Sequence, residues 1–242
     1  MSLEGKVALI TGGAKNLGAE VARELAKDGA NLAVHYKNPS SKDEAVRLVF
    51  ELKHRYPSIK VVFYQGDLTS AAVVTRLFED TVRDFGQVDI VVNTVGKVIK
   101  KPIAEITEEE FDSMFAINSK AAFFILKEAA THVTDGGTII TIATALQGAF
   151  NGSYTSCTGS MAPVEHFIKN LCKELQPRHI SVNAVAFDPI DSRESVESDR
   201  ADGMDNRLTM LKDIAPIVRL LCTDGGWITG QTLFANSGYT NR

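Results

Sequence analysis

The feature that most constrains this chain is the stretch Val7 to Gly18, VALITGGAKNLG, where a short apolar run breaks into a glycine-rich turn and resumes as an amphipathic helix. Val7 to Ile10 has the character of a buried strand, and Thr11 to Asn16 must then turn tightly into a helix whose first N–H groups lack backbone acceptors. Those orphan donors, with the positive end of the helix dipole, suit a pyrophosphate. Glycine permits positive φ and close backbone approach at such a turn. Along the helix, Leu17, Val21 and Leu25 repeat every four residues with Ala22 and Ala26 beside them, so one face packs on a sheet, and Gly29 supplies the C-terminal stop. A glycine-rich turn alone also fits an ordinary strand-to-helix connection, so the remainder of the chain has to decide.

That remainder alternates strand and helix. Asn31 to Tyr36 reads as a second strand, followed by a helix from about Lys42 to about Tyr56, with Ser41 and Glu44 at capping-box spacing and Pro57 as the stop. Lys60 to Asp67 is a third strand, and Ser70 caps a helix carrying Val73, Val74, Leu77, Phe78, Val82 and Phe85. Val88 to Thr94 is a continuous apolar run of the kind buried on both faces of a parallel sheet. Thr107 and Glu110 form a second capping box, opening a long helix to about Ala130. Thr138 to Thr144 is the fifth strand, a helix carries Met161, Val164, Ile168, Leu171 and Leu175 on one stripe, and Ile180 to Phe187 is the sixth strand. Residues 188 to 213 turn polar and acid-rich without an aromatic residue, as a mobile surface lid would. A helix from about Leu208 to Cys222 and a strand near Thr232 to Asn236 close the chain. The alternation predicts right-handed crossovers in a doubly wound sheet.

The chain has 242 residues, 44% of them hydrophobic, and no change of composition separates two halves, so one domain spanning 1–242 is expected. A net charge of −4 with scattered basic residues argues against nucleic acid and anionic membranes as partners. No apolar run has the length of a membrane span, and the N-terminus enters a strand almost at once, so the cytoplasm is the expected compartment. Cys157, Cys172 and Cys222 are odd in number and far apart, which fits a reduced compartment without disulfides; no metal site is expected.

Over essentially its full length the sequence resembles the short-chain dehydrogenase/reductase family. TGGAKNLG matches the family's TGxxxGxG turn, with Asn16 at the middle glycine; Asn is among the non-glycine residues that best tolerate positive φ. Asp67 in GDLT matches the aspartate that meets the adenine amino group, NTVG at Asn93 to Gly96 stands where the family has NNAG, and Asn118 matches the helix asparagine of the catalytic tetrad. ISVNAV, then PIDS, then GWITGQTLFANSGY complete the pattern. The resemblance implies a Rossmann-type α/β fold with a seven-stranded parallel sheet, order 3-2-1-4-5-6-7, and three helices on each face. It implies cofactor contacts from Gly12, Lys15, Asn16, Leu17, Gly18, Tyr36, Lys37, Asp67, Leu68, Asn93, Gly96 and Ile190.

Strand two ends in His35, Tyr36, Lys37 and Asn38, with no acid to hold a ribose 2′-OH, and Lys37 and Lys15 are placed to attract a 2′-phosphate. NADP(H) is therefore expected over NAD(H); the plain alternative is that both lysines are solvated surface residues.

The family's proton chemistry uses a serine at the end of strand five and a YxxxK pair, in which the ammonium lowers the pKa of a phenol that ordinarily titrates at about 10. Alignment puts Thr144 at the serine, Cys157 at the tyrosine and Met161 at the lysine. Tyr154 lies seven residues before Met161, the spacing of the related enoyl reductases, and is the best substitute acid. Cys157 fits a small buried hydrophobe as well as a thiol acid, and Met161 continues the packing stripe. Phe187 and Asp188 replace the family's PG beside the nicotinamide. Two readings stay open. One is an NADP(H)-binding protein with a degraded active site and little or no ordinary carbonyl reductase activity. The other is a working NADP(H)-dependent oxidoreductase of a carbonyl or hydroxyl substrate that uses Thr144, Tyr154 and Asn118 by an atypical proton route. The resemblance further implies a homodimer, a homotetramer or a hetero-oligomer with an active homologue, built on the 157–175 helix with Phe111, Phe115 and Phe123.

Overall fold

The computed structural model describes residues 2–148, 152–187 and 209–238. Seven parallel strands form one sheet in the order β3-β2-β1-β4-β5-β6-β7. In chain order these are β1 (Val7–Thr11), β2 (Asn31–Tyr36), β3 (Val61–Gln65), β4 (Val88–Asn93), β5 (Val133–Thr144), β6 (Ser181–Phe187) and β7 (Thr232–Phe234). The helices between them are α1 (Asn16–Lys27), α2 (Lys42–Arg55), α3 (Ala71–Phe85), α4 (Glu108–Phe115), α5 (Ala122–His132), α6 (Thr155–Glu174) and α7 (Leu211–Thr223).

The central strands are buried on both faces because alternate residues serve two cores. Ala8 and Ile10 of β1 pack in the layer of α1, α2 and α7, whereas Leu9 packs in the layer of α3, α5 and α6. In β4, Ile90 and Val92 join the first layer and Val88 and Val91 the second. The order changes direction at β1 and β4, which pair through Ala8↔Ile90 to Thr11↔Asn93. Crevices beyond the carboxyl ends of such strands receive ligands in open α/β sheets.

Local departures from the sequence expectations have physical causes. Ser41 makes no capping bond, because Pro39–Ser41 form a 3₁₀ turn and leave Ser41 at φ −89°, ψ 4° instead of extended. The Thr107–Glu110 box forms in full, with N–H donors bonded at 3.2 and 2.9 Å. The long helix expected to reach Ala130 is interrupted by a π segment at Ala116–Ala121, between α4 and α5. β5 begins at Val133, ahead of Thr138, and its register with β4 shifts between Val88 and Ile90. The expected lid largely lies outside the described residues, and α7 has already begun at Leu211, inside its expected boundary of 213. No helix among the described residues is long and apolar enough to cross a membrane.

Candidate active site

A cleft of about 1100 Å³ runs along the carboxyl ends of the strands, from the β1–α1 turn to the start of α6. The turn is shaped by backbone that side chains could not occupy. Gly12 has φ +66°, and Asn16, at φ +48°, takes the left-handed conformation expected at the middle position. A β-carbon on Gly18 would stand 2.3 Å from the Gly12 carbonyl oxygen, so the helix meets the turn at backbone contact. Lys15 at the N-cap makes no side-chain capping bond, so it does not satisfy the first N–H groups of α1. Gly12, Ala14, Lys15, Asn16, Leu17 and Gly18 line this end.

Two braces hold the turn. Thr11 Oγ1 donates to Asn93 Oδ1 at 2.7 Å, and Thr94 Oγ1 donates to the Thr11 carbonyl at 2.6 Å, joining the ends of β1 and β4. On the other side the buried ring of His35 accepts the Gly12 N–H on Nδ1 at 3.1 Å and donates from Nε2 to the Gly66 carbonyl at 2.9 Å. Both partners fix the tautomer, since an N–H can only donate and a carbonyl can only accept. Burial lowers the His35 pKa to about 4, against the opposing influence of Gly66 and Asp67, so the ring is neutral at physiological pH. Sequence reasoning placed His35 at the end of strand two without a role.

Tyr36, Lys37 and Asp67 line the outer part of the same end. Lys37 Nζ lies 3.0 Å from Asp67 Oδ2, in an exposed ion pair. Burial pushes the Asp67 carboxyl up, but hydrogen bonds from Thr69 and the Lys37 ammonium outweigh it and leave the pKa lowered. Gly96 lines the middle of the cleft, where a β-carbon would lie 3.4 Å from Met161 Cε. Leu68 and Asn93 do not reach the wall: Leu68 is buried in the second core layer, and Asn93 is buried beneath the floor. Val95 N–H and Thr11 Oγ1 both donate to Asn93 Oδ1, while Asn93 Nδ2 is buried with no hydrogen-bond partner among the described residues. Ile190 and Asp188 lie outside the described residues.

At the far end, Thr144, Tyr154, Met161 and Phe187 line the wall. Thr144 Oγ1 accepts the Leu146 N–H at 3.2 Å and keeps its own hydrogen to donate. Cys157 is absent from the wall: it is fully buried among Met114, Leu146 and Tyr154, and burial raises its thiol pKa. A thiol so placed is neither exposed to a substrate nor ionised near neutrality. Met161, which the resemblance aligns with the family's lysine, turns its methyl group towards Gly96 and brings no charge to the cleft. Asn118, in the π segment, is buried and fully engaged. Its Oδ1 accepts Lys97 N–H at 2.8 Å, and its Nδ2 donates to the Lys97 carbonyl and to Ser160 Oγ, each at 2.8 Å.

The sequence reading missed the loop after β4. Lys97, Val98 and Lys100 from this loop, and Ser113, Ala116 and Ile117 beyond it, line the cleft. The cluster Lys97, Lys100, Lys101 was the visible signal, but its direction is set by loop geometry. Among the described residues no group of three His, Cys, Asp or Glu side chains is placed to hold a metal ion.

With this geometry in view, residues 12–240 match the family model described as enoyl-(acyl carrier protein) reductase. The chain is 32% identical to a short-chain dehydrogenase/reductase from Pestalotiopsis microspora, covering 98% of this chain and 96% of the relative. A dehydrogenase from Burkholderia cenocepacia, solved with bound NADP, superposes with a TM-score of 0.95 at 44% identity, covering 100% of this chain and 96% of that one. A blue fluorescent protein from a metagenomic library, in complex with NADPH, gives 0.94 at 31% identity with 100% of each chain covered.

Proposed function

Because this chain belongs to the short-chain dehydrogenase/reductase family of oxidoreductases, we propose that it binds NADP(H) and performs little ordinary carbonyl reduction. The observation that carries this reading is the contrast between the two ends of one cleft. The glycine turn, its braces and two lysines stand at one end, while at the other the uncharged Met161 faces Gly96 and Cys157 is turned into the core, the two positions that the resemblance gives to the lysine and the tyrosine.

The residues present fit a dinucleotide. The turn excludes side chains at Gly18, so phosphates can approach the N–H groups at the start of α1. Lys15 and Lys37 supply the positive charge that suits a 2′-phosphate, and Asp67, already held by Thr69, remains beside the adenine end. The similar structures solved with NADP and NADPH support the same choice. When bound, the nicotinamide supplies a hydride. The chain must then supply a proton, and neither Cys157 nor Met161 can.

Calorimetric titration tests the cofactor part. NADPH is expected to bind at least about tenfold more tightly than NADH, a difference of roughly 1.4 kcal/mol. Absence of binding by both overturns it.

A second reading, slow turnover of a particular carbonyl or hydroxyl substrate, is favoured by one observation: Thr144 and Tyr154 line the same end of the cleft. Asn118 then acts as a positioning residue through the loop it holds. The family resemblance and the exposed Phe111 and Phe123 further support a homo-oligomer, and the cytoplasm remains the proposed compartment.

A further inference from the structure

We infer that the end of the cleft beyond Gly96 receives a small organic carboxylate, an oxo or hydroxy acid whose charged group is held by Lys97; this rests on the reading that a dinucleotide fills the end nearer the glycine turn. Lys97 and Lys100 line this end together with Thr144 and Met161. The one acid among the described residues of the wall is Asp67, which stands at the opposite end and pairs with Lys37. In a chain of net charge −4, this end of the cleft thus presents cations with no carboxylate beside them among the described lining residues. A cleft lined by one sign of charge concentrates ligands of the other.

Lys97 is held by backbone and by side chain. The buried Asn118 accepts its N–H on Oδ1 and donates from Nδ2 to its carbonyl, each at 2.8 Å. The Lys97 ammonium donates to Ser113 Oγ at 2.7 Å, and Ser113 gives its own hydrogen to the Glu110 carbonyl at 2.9 Å, so the hydroxyl is oriented to accept. An ammonium has three hydrogens, and this contact uses one. The Glu110 carboxylate is near enough to feel Lys97, but its oxygens are taken by the Lys101 ammonium at 3.1 Å and the Thr107 N–H at 2.9 Å. A cation held in place in advance spends less of a ligand's binding energy on ordering.

The rest of the wall defines the body of the ligand. Ile117, Met161 and Phe187 make it apolar, and Thr144 Oγ1, which accepts the Leu146 N–H, keeps a hydrogen to donate to an oxygen. A carboxylate at Lys97, an apolar chain and an oxo or hydroxyl oxygen at Thr144 together describe an oxo or hydroxy acid. The Lys100 ammonium, 5.4 Å from the centroid of the Tyr154 ring, adds positive charge to the same end.

The test is calorimetric titration of protein saturated with NADP⁺, using 4-oxopentanoate, 5-oxohexanoate and 6-oxoheptanoate, each beside its neutral methyl ester. At least one acid is expected to bind about tenfold or more tighter than its ester. Lys97→Gln should abolish that preference and Lys97→Arg should keep it, and added salt should weaken the acid but not the ester. Equal binding of acid and ester, binding of neither, or a preference that survives in Lys97→Gln overturns the inference. Tighter binding of dihydroxyacetone phosphate than of any of the acids overturns the carboxylate class. Failure of NADP⁺ itself to bind, seen in the saturation step, overturns instead the cofactor reading on which the inference rests.

Discussion

The neutral imidazole of His35 accepts the backbone N–H of Gly12 at 3.1 Å, so the cofactor turn is held by a side chain from the neighbouring strand. Protonation would set two donors against each other. The folded pKa, near 4 because of burial, lies below the ordinary 6.5, so the unfolded chain binds the extra proton between those values. Stability conferred by neutral His35 is thus complete above pH 6.5 and is lost as pH falls towards 4, by an amount on the order of 3 kcal/mol. Thermal melts from pH 4 to 7 should show a steeper fall for wild type than for His35→Gln; parallel curves would contradict the assignment.

Gly18→Ala tests the backbone contact in the turn. Its β-carbon would be driven to 2.3 Å from the Gly12 oxygen, with backbone on both sides and nothing flexible to yield. The expected outcome is a loss of NADPH affinity of about a hundredfold, read by calorimetry, and a lower melting temperature, because opening the turn displaces the phosphate donors.

Lys37 is the residue proposed to distinguish the two nicotinamide cofactors. In the present pairing it lies 3.0 Å from Asp67, an exposed contact worth little, so a 2′-phosphate can recruit it cheaply. Lys37→Ala should weaken NADPH binding about tenfold and leave NADH binding within about twofold, as expected for one charge-assisted contact. Equal weakening for both cofactors would remove Lys37 from the 2′-phosphate site.

The aromatic face of α5 and α6 offers a test of assembly. Phe123 is 47% exposed and meets Phe124 and Phe167 edge-on, at 5.5 and 5.3 Å between ring centres. Phe123→Glu places a charge there without touching the core and should lower the sedimentation coefficient to that of a monomer. An unchanged coefficient would move the interface elsewhere.

The architecture was largely legible because it rests on patterns that repeat. Apolar runs such as Val88 to Asn93, separated by amphipathic helices, specify a two-sided sheet, and the full strand order followed from the resemblance they support. Thr107 and Glu110 were legible for a local reason, since three residues close the box. Ser41 and Glu44 have the same spacing and fail because Pro39 imposes a preceding turn. The π segment around Asn118 left no mark in the apolar periodicity. At the site, alignment assigned Cys157 and Met161 to their positions but not their directions. Whether a side chain enters the cleft, as Met161 does, or the core, as Cys157 does, depends on packing between α6 and the loop after β4. The contact between Lys100 and Tyr154 spans two loops and could be read only in three dimensions.

The central claim, a cofactor cradle without the family's proton relay, is tested most directly by the NADPH oxidation rate of protein first shown by calorimetry to be saturated with NADPH. The assay would use a panel of ketones, aldehydes and enoyl thioesters. Loss of a general acid costs about 10²- to 10⁴-fold, so rates of roughly 0.1 to 0.001 s⁻¹ or less are expected, against a typical enzyme value of about 10 s⁻¹. A saturated protein that reduces an ordinary ketone at about 10 s⁻¹ would contradict the account.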